Sequence, residues 1–382
     1  MKRNWLAVGI ILLFIGISVI PAIAQNDEIM APTSRGNWLY VGGDGPGNYT
    51  KIQDAIDNSS LGDTVYVYNG IYYETVTVNV MSLTLIGENK DKTLIDARHI
   101  LSTGLSIKQS FVVIQGFSIL ADDNWIFGNG IYVYNGFEGI KIRDNNLSIT
   151  PRGINVDGQN NYDVIENNIF YSNFYGILLA NSGDKQCTIQ NNIFVGNTDG
   201  LVLGGIDNEI INNTFRGCGL TGIDQSSGSS STFMDNIFID NDVGLSAGGS
   251  NKFIENIFIE NGIGLSARGP NTILGNHFEN NGVGLQLELV SNSVITGNNF
   301  INNSKDATFS EGSRSHGNRW DGNYWGVLSY LFGIKLISGW LETKIPKIIQ
   351  FYPATIRYYW IPWINFDKDP VRKPFDIGRN NE

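Results

Sequence analysis

From Phe253 to Leu287 the chain alternates apolar and polar residues in very short runs, each closed by Asn or Gly. An apolar residue, Asn, Phe, Asn and then Gly-Ile-Gly-Leu or Gly-Val-Gly-Leu follow one another twice. Phe258 and Phe278 therefore lie 20 residues apart, as do Gly264 and Gly284. The same register runs back through Phe238, Phe215, Phe194 and Phe170 and forward to Phe300. Alternation of this kind predicts short half-buried strands. Steps of 20 to 24 residues are too short for a helical hairpin repeat and too irregular for a coiled coil. They suit an all-β fold, a single-stranded right-handed parallel β-helix in which each coil hydrogen-bonds to the next.

The columns of the register agree. Five residues before each Phe stand Ile142, Ile165, Ile189, Ile210, Phe233, Phe253, Ile273 and Ile295, with Leu147 taking the Phe place in its own coil. Two residues before it stand Asn145, Asn168, Asn192, Asn213, Asn236, Asn256, Asn276 and Asn298. Asn tolerates the left-handed conformation of a sharp bend, and its amide can hydrogen-bond along a stack. A second Asn column follows the Phe at Asn173, Asn197, Asn241, Asn261, Asn281 and Asn303, with Cys218 in one coil. Gly153, Gly176, Gly200, Gly222, Gly244, Gly264 and Gly284 open the next strand. An antiparallel sandwich has no reason to hold one register over so many repeats. We expect about ten coils, or roughly 48 Å of solenoid at about 4.8 Å each.

Repeats of the form I-x-N-N-I-F-x-x-N-x-x-G-I-x-L resemble those of the pectate-lyase-like superfamily. The nearer resemblance is to secreted NosD-like β-helix proteins, through Tyr40–Asn79 ahead of the coils and GNRWDGNYW at Gly317–Trp325 after them. The resemblance implies a fold far more strongly than an activity, because this fold carries lyases, hydrolases, epimerases and inert surface proteins.

The ends of the chain read differently. Lys2 and Arg3, the apolar Trp5–Ile20 and Ala22-Ile23-Ala24 make residues 1–24 a secretory signal, with an uncleaved anchor as the alternative. Residues 25–62 supply an N-terminal segment and cap. Within it, Thr50 and Gln53 form a capping box for a short helix whose apolar face is Ile52, Ala55 and Ile56. The coils occupy 63–311. Residues 312–382, rich in Trp and Pro, form a C-terminal cap packed on the last coil and one flank, or alternatively an aromatic platform for sugar rings. Cleavage would move the net charge from −11 to −13, since Lys2 and Arg3 leave. That argues against nucleic acid or an anionic membrane as partner and fits a secreted, extracellular or cell-surface protein. No second apolar run of roughly 18 residues exists to span a membrane. Cys187 and Cys218 fall in different columns and are read as free.

Chemistry is sparse. The strand after each Gly turns outward at Tyr132, Asn155, Leu178, Val202, Asp224, Ser246, Ser266 and Gln286, and next at Tyr134, Asp157, Arg268 and Glu288. Tyr132, Tyr134, Asn155, Asp157 and Asp224 are the candidate ligand-binding residues. A glycosidase needs two carboxylates about 5 to 9.5 Å apart, whereas Asp157 and Asp224 are three coils, roughly 14 Å, apart. Arg268 and Glu288 pair with each other. Asn197-Thr198-Asp199-Gly200 looks like the polygalacturonase acid motif, but the remaining motifs of that family do not follow, and the repeat itself demands Asn197 and Gly200. Asp235 with Glu255, and Asp240 with Glu260, stack as solvated surface acids. Copper wants clustered His, Cys or Met, and His99, His277 and His316 lie far apart. No catalytic residue, metal site or cofactor is assigned. The reading is a secreted non-catalytic β-helix protein, a cell-surface or carbohydrate-associated binding scaffold, with polysaccharide or cell-surface glycan as the partner expected. The alternative is a polysaccharide-modifying lyase, hydrolase or epimerase with a loop-borne site around Asp122–Trp125.

One face is too apolar to be bare. Beside the inward Phe column stand Ile169, Ile193, Ile237 and Ile257 on one side and Tyr171, Val195, Ile239, Ile259 and Ile301 on the other. We expect the segment from Trp320 to Phe366 to fold back along this stripe, with dimerisation through it as the alternative.

Overall fold

The computed structural model describes residues 36–98, 103–122, 128–179, 183, 185–225, 227–288, 290, 292–311, 317–326, 335–344, 358–367 and 369–377. Residues 1–24, expected to be a secretory signal, His99, His316 and most of the Asp122–Trp125 loop lie outside them. Each coil holds three short strands, as in Lys252–Ile254, Ile257–Ile259 and Ile263–Arg268. Alternation sends Phe253, Phe258, Leu265 and Ala267 inward, where all four are buried. Each pairs in parallel with its equivalent one coil on, Phe253 with Ile273, Phe258 with Phe278 and Leu265 with Leu285. The result is a right-handed parallel β-solenoid. Its first strands belong to sheet one, its second to sheet two and its third to sheet three. Sheet two has 11 strands, from Gly70–Tyr72 to Asn299–Ile301.

The Phe column is the core of the solenoid. Rings stack from Phe170 through Phe194, Phe215, Phe238, Phe258, Phe278 and Phe300. The stack ends on the indole of Trp325, 4.3 Å from Phe300 and 6° from parallel. The coil register thus runs on past residue 311, with Trp320 paired to Ile295.

Sheets one and two meet at a two-residue bend. The left-handed residue there is the one before each Asn: Asp144, Asn167, Asn191, Asn212, Asp235 and Glu255, then Gly275 and Gly297. The expectation that Asn itself takes that conformation is corrected. The preceding residue bends so that the Asn side chain points inward along the stack. Asn236 donates from its backbone N (3.1 Å) and its Nδ2 (3.0 Å) to Oδ1 of Asn256. Asn256 does the same to Asn276, at 2.9 and 3.0 Å. The ladder therefore has a direction, every amide donating toward the C-terminal end. It runs from Asn145 to Asn323 and stops on a different group. Oδ2 of Asp367 accepts from N and Nδ2 of Asn323, at 3.1 and 3.0 Å, and from Nε1 of Trp325, at 2.8 Å. A carboxylate, which only accepts, suits an end where only donors remain.

The N-terminal end is closed by the helix Ile52–Asp57, with Ile52, Ala55 and Ile56 buried. Thr50 and Gln53 do not cap it. Lys51 is the N-cap residue and offers no side-chain bond. Glu74, from the next coil, accepts instead from N of Ile52 (2.9 Å) and N of Gln53 (3.0 Å). The Gln53 amide is used on the open edge of sheet three, accepting from Thr77 N (2.7 Å) and donating to Thr77 O (3.2 Å). It does there what a neighbouring strand would do.

At the far end Lys335–Lys344 pairs with the last strand of sheet three, and Tyr358–Asp367 with the last strand of sheet one. The two pair antiparallel with each other. The described backbone of the C-terminal segment therefore covers strand edges and does not lie along the Ile stripe of sheet two. Unpaired backbone groups at two sheet ends are the stronger demand. Tyr324 continues sheet two, bridging to Asn299 and accepting from Phe300 N at 2.8 Å, and Asp369–Ile377 follows it there, where Phe375 exchanges 2.8 Å hydrogen bonds between its backbone and the Asn299 side chain. Tyr171 and Ile193 remain 52% and 43% exposed. Cys187 and Cys218 are buried thiols not joined in a disulfide, and burial pushes the Cys218 thiol up to about 12.

Candidate functional site

Sheet three is positioned by its glycines. A Cβ on Gly200 would meet the Gly222 carbonyl at 2.5 Å and the Phe215 ring at 2.6 Å, so the strand lies close only without a side chain. The next residue, Leu201, is inward and Val202 outward, and the register carries this along the sheet. Tyr132 pairs with Asn155, Asn155 with Leu178, Leu178 with Val202, and Val202 with Asp224.

Four of the five candidate residues sit on two adjacent strands, Asn129–Val133 and Arg152–Val156, or directly after them. The Tyr132 hydroxyl donates to Oδ2 of Asp157 at 2.7 Å. The Tyr132 and Tyr134 rings meet edge to face at 4.6 Å. Burial, then the bond to Asp157, pushes the Tyr132 hydroxyl up to about 12, while Arg152 pulls the other way. Asn155 donates through Nδ2 to Oδ1 of Asn129 (3.0 Å), and Asn129 to the Thr103 hydroxyl (3.0 Å). Lys108 Nζ lies 4.6 Å from the centre of the Tyr134 ring, a cation–π contact. The sequence reading missed Lys108, Asn129 and Thr103. Their signal was only that Ser106, between Lys108 and Thr103, pairs with Tyr132.

Asp224 stands apart, beyond the strands of Leu178 and Val202. Its carboxyl is raised by burial and then by Asp199. Asp199 accepts from the Thr221 backbone N at 3.0 Å and from the Thr221 hydroxyl, so it braces the next coil. Arg268 and Glu288 pair as expected, through Nε–Oε2 (2.8 Å) and NH2–Oε2 (2.6 Å). Asp235 and Glu255 are exposed at the bends, and Asp235 is raised by burial and then by Glu255.

The profile of a family described as "Periplasmic copper-binding protein (NosD)" matches residues 100–264 and 260–329. The chain belongs to the NosD family. No curated protein matches the NosD-family chain. Among solved structures, the Azotobacter vinelandii mannuronan C-5 epimerase AlgE6 A-module is similar, with a TM-score of 0.56 at 16% identity over 72% of this chain and 88% of that one. A mannuronic acid specific polysaccharide family 6 lyase from human gut microbiota gives 0.41 at 13% identity, over 72% and 84%. DFA-IIIase of Arthrobacter chlorophenolicus A6 gives 0.44 at 12%, over 72% and 94%. At these identities the likeness is one of fold.

The family description raises copper, and the donors among the described residues of this NosD chain do not fit it. Among the described residues no three His, Cys, Asp or Glu side chains converge on one point. His277 is engaged by Glu279, Nε2 to Oε2 at 3.0 Å, and the two buried thiols stand in different columns. No step through copper is derived.

Proposed function

We propose that this NosD-family chain is a secreted, non-catalytic scaffold that binds glycan along sheet three, around Tyr132, Tyr134, Asn155 and Asp157. The observation that carries the reading is their convergence on neighbouring strands. Sugars are amphipathic, with C–H faces that pack on aromatic rings and hydroxyls that bond to amides and carboxylates. Two Tyr rings, an Asn amide and an exposed carboxylate offer that combination on an open surface. Asp157 and Asp224 do not offer the geometry of a glycosidase, because they stand three strands, roughly 14 Å, apart. The apolar Trp5–Ile20 and the Ala22-Ile23-Ala24 motif support export, as does the periplasmic description of the family. Among the described residues no helix is long and apolar enough to cross a membrane.

A glycan array read beside a turnover screen tests the proposal. Binding should appear without cleavage or epimerisation, and Tyr132→Ala with Tyr134→Ala should weaken it about tenfold or more. Turnover abolished by Asp157→Asn would replace the scaffold with an enzyme.

A further inference from the structure

The outer face of sheet one carries an unusual feature at its N-terminal end. Trp38–Val41 and Thr64–Val67 pair in parallel, placing Tyr40 opposite Tyr66. Val41, Val65 and Val67 fill the core, so alternation turns Trp38, Tyr40 and Tyr66 outward, with Tyr68 following at the strand end. Trp38 and Tyr40 lie 6.3 Å apart at 29°, and Tyr40 and Tyr68 6.3 Å apart at 27°. Tyr66 meets Tyr40 and Tyr68 edge-on, at 6.2 Å and 62° and at 5.2 Å and 81°. These separations exceed those of the inner Phe stack, 4.7 Å for Phe170 and Phe194, so the ring faces are not consumed by one another. Tyr40 is 40% exposed.

The borders of the patch narrow the choice of ligand. On one side the exposed loop Gly42–Gly47 lies against Tyr68, and a Cβ on Gly43 would come within 2.9 Å of that ring. On the other side is Glu88, which after burial is the largest cause of the raised Tyr66 hydroxyl. An acidic border on a chain of net charge −11 repels a polyanion or an anionic bilayer. Glu88 accepts from Asn69 N through Oε2 at 2.8 Å, and a carboxylate has further lone pairs for neutral hydroxyls. Aromatic faces with phenol, indole and carboxylate groups around them match the two-sided chemistry of an uncharged sugar ring.

We propose that Trp38, Tyr40, Tyr66 and Tyr68 form a platform that binds a neutral glycan by stacking its sugar rings. This site lies on another sheet from Tyr132 and Tyr134 and does not depend on them.

The test uses the full chain with three neutral polymers, hydroxyethyl cellulose, mannan and xylan, beside polygalacturonate and phosphatidylcholine vesicles. At least one neutral polymer should bind. Trp38→Ala and Tyr40→Thr should each weaken it about tenfold or more, while Tyr40→Phe, which keeps the ring, leaves it near the parent value. Melting curves check the fold, and the Tyr40 pair decides alone if Trp38→Ala melts early. Binding to none of the three neutral polymers overturns the proposal, as do equal losses in Tyr40→Thr and Tyr40→Phe. Vesicle binding that disappears with Tyr40→Thr would make the patch a membrane contact instead.

Discussion

Asn256 shows what one residue contributes to this fold. Its Oδ1 accepts two bonds from Asn236, and its Nδ2 donates to Phe233 O (2.9 Å) and to Asn276. Asn256→Leu fills the space but leaves the Asn236 N–H buried without an acceptor. One orphaned donor costs about 1 to 3 kcal/mol, and more than one is created. The urea midpoint should fall accordingly, and an unchanged midpoint would show the ladder to be ornamental. Residues of this kind were legible in the sequence because identity recurs at a fixed spacing. The conformation of their neighbours was not. Asp, Glu, Asn and Gly all take the left-handed place, so composition there carries no single signature. The helix cap was hidden for another reason. Glu74 lies 22 residues from Ile52, and only the pitch of the solenoid brings them together.

At the level of the sheets, inward faces were readable and outward contacts were not. Phe and Ile columns follow from alternation alone. The Tyr132–Asp157 bond spans 25 residues and depends on which coils are adjacent. The spread of Asp224 from Asp157 was legible, since it needs only a count of coils. Sheet three also holds a pH dependence. The Asp224 carboxyl titrates above its ordinary 3.8 because burial disfavours the charge and Asp199 adds to it. Between 3.8 and that higher value the folded chain keeps a proton that the unfolded chain has released. Stability therefore falls as pH rises through this window, and the ionised group is a net burden at neutral pH. Asp224→Asn should melt above the parent at neutral pH, with the difference closing below pH 3.8. A gain that is the same at both pH values would assign the effect to something other than this charge.

For the molecule as a whole, the ends carry the decisions. The C-terminal strand brings Oδ2 of Asp367 to three N–H donors, beside the local Asp369 N on Oδ1, and the group is fully buried. Asp367→Ala strands all three, at a cost of about 3 kcal/mol or more, whereas Asp367→Asn retains one acceptor and should lose less. Hydrogen exchange at Gly317–Gly326 should quicken in that order. Equal exchange in both variants would mean that the hairpin is held by its strands alone.

A directional ladder has a further consequence. Every rung between Asn145 and Asn323 meets its neighbours on the same terms, so the rungs specify pitch and say nothing about how many there are. Phe238, Phe258 and Phe278 follow at identical steps of 20 residues. Excising or duplicating one such step returns each Asn to an Asn and each Phe to a Phe. In genetic terms the middle of this protein is a ruler that can be lengthened by unequal exchange between its own repeats, while the Gln53 and Asp367 ends stay as they are.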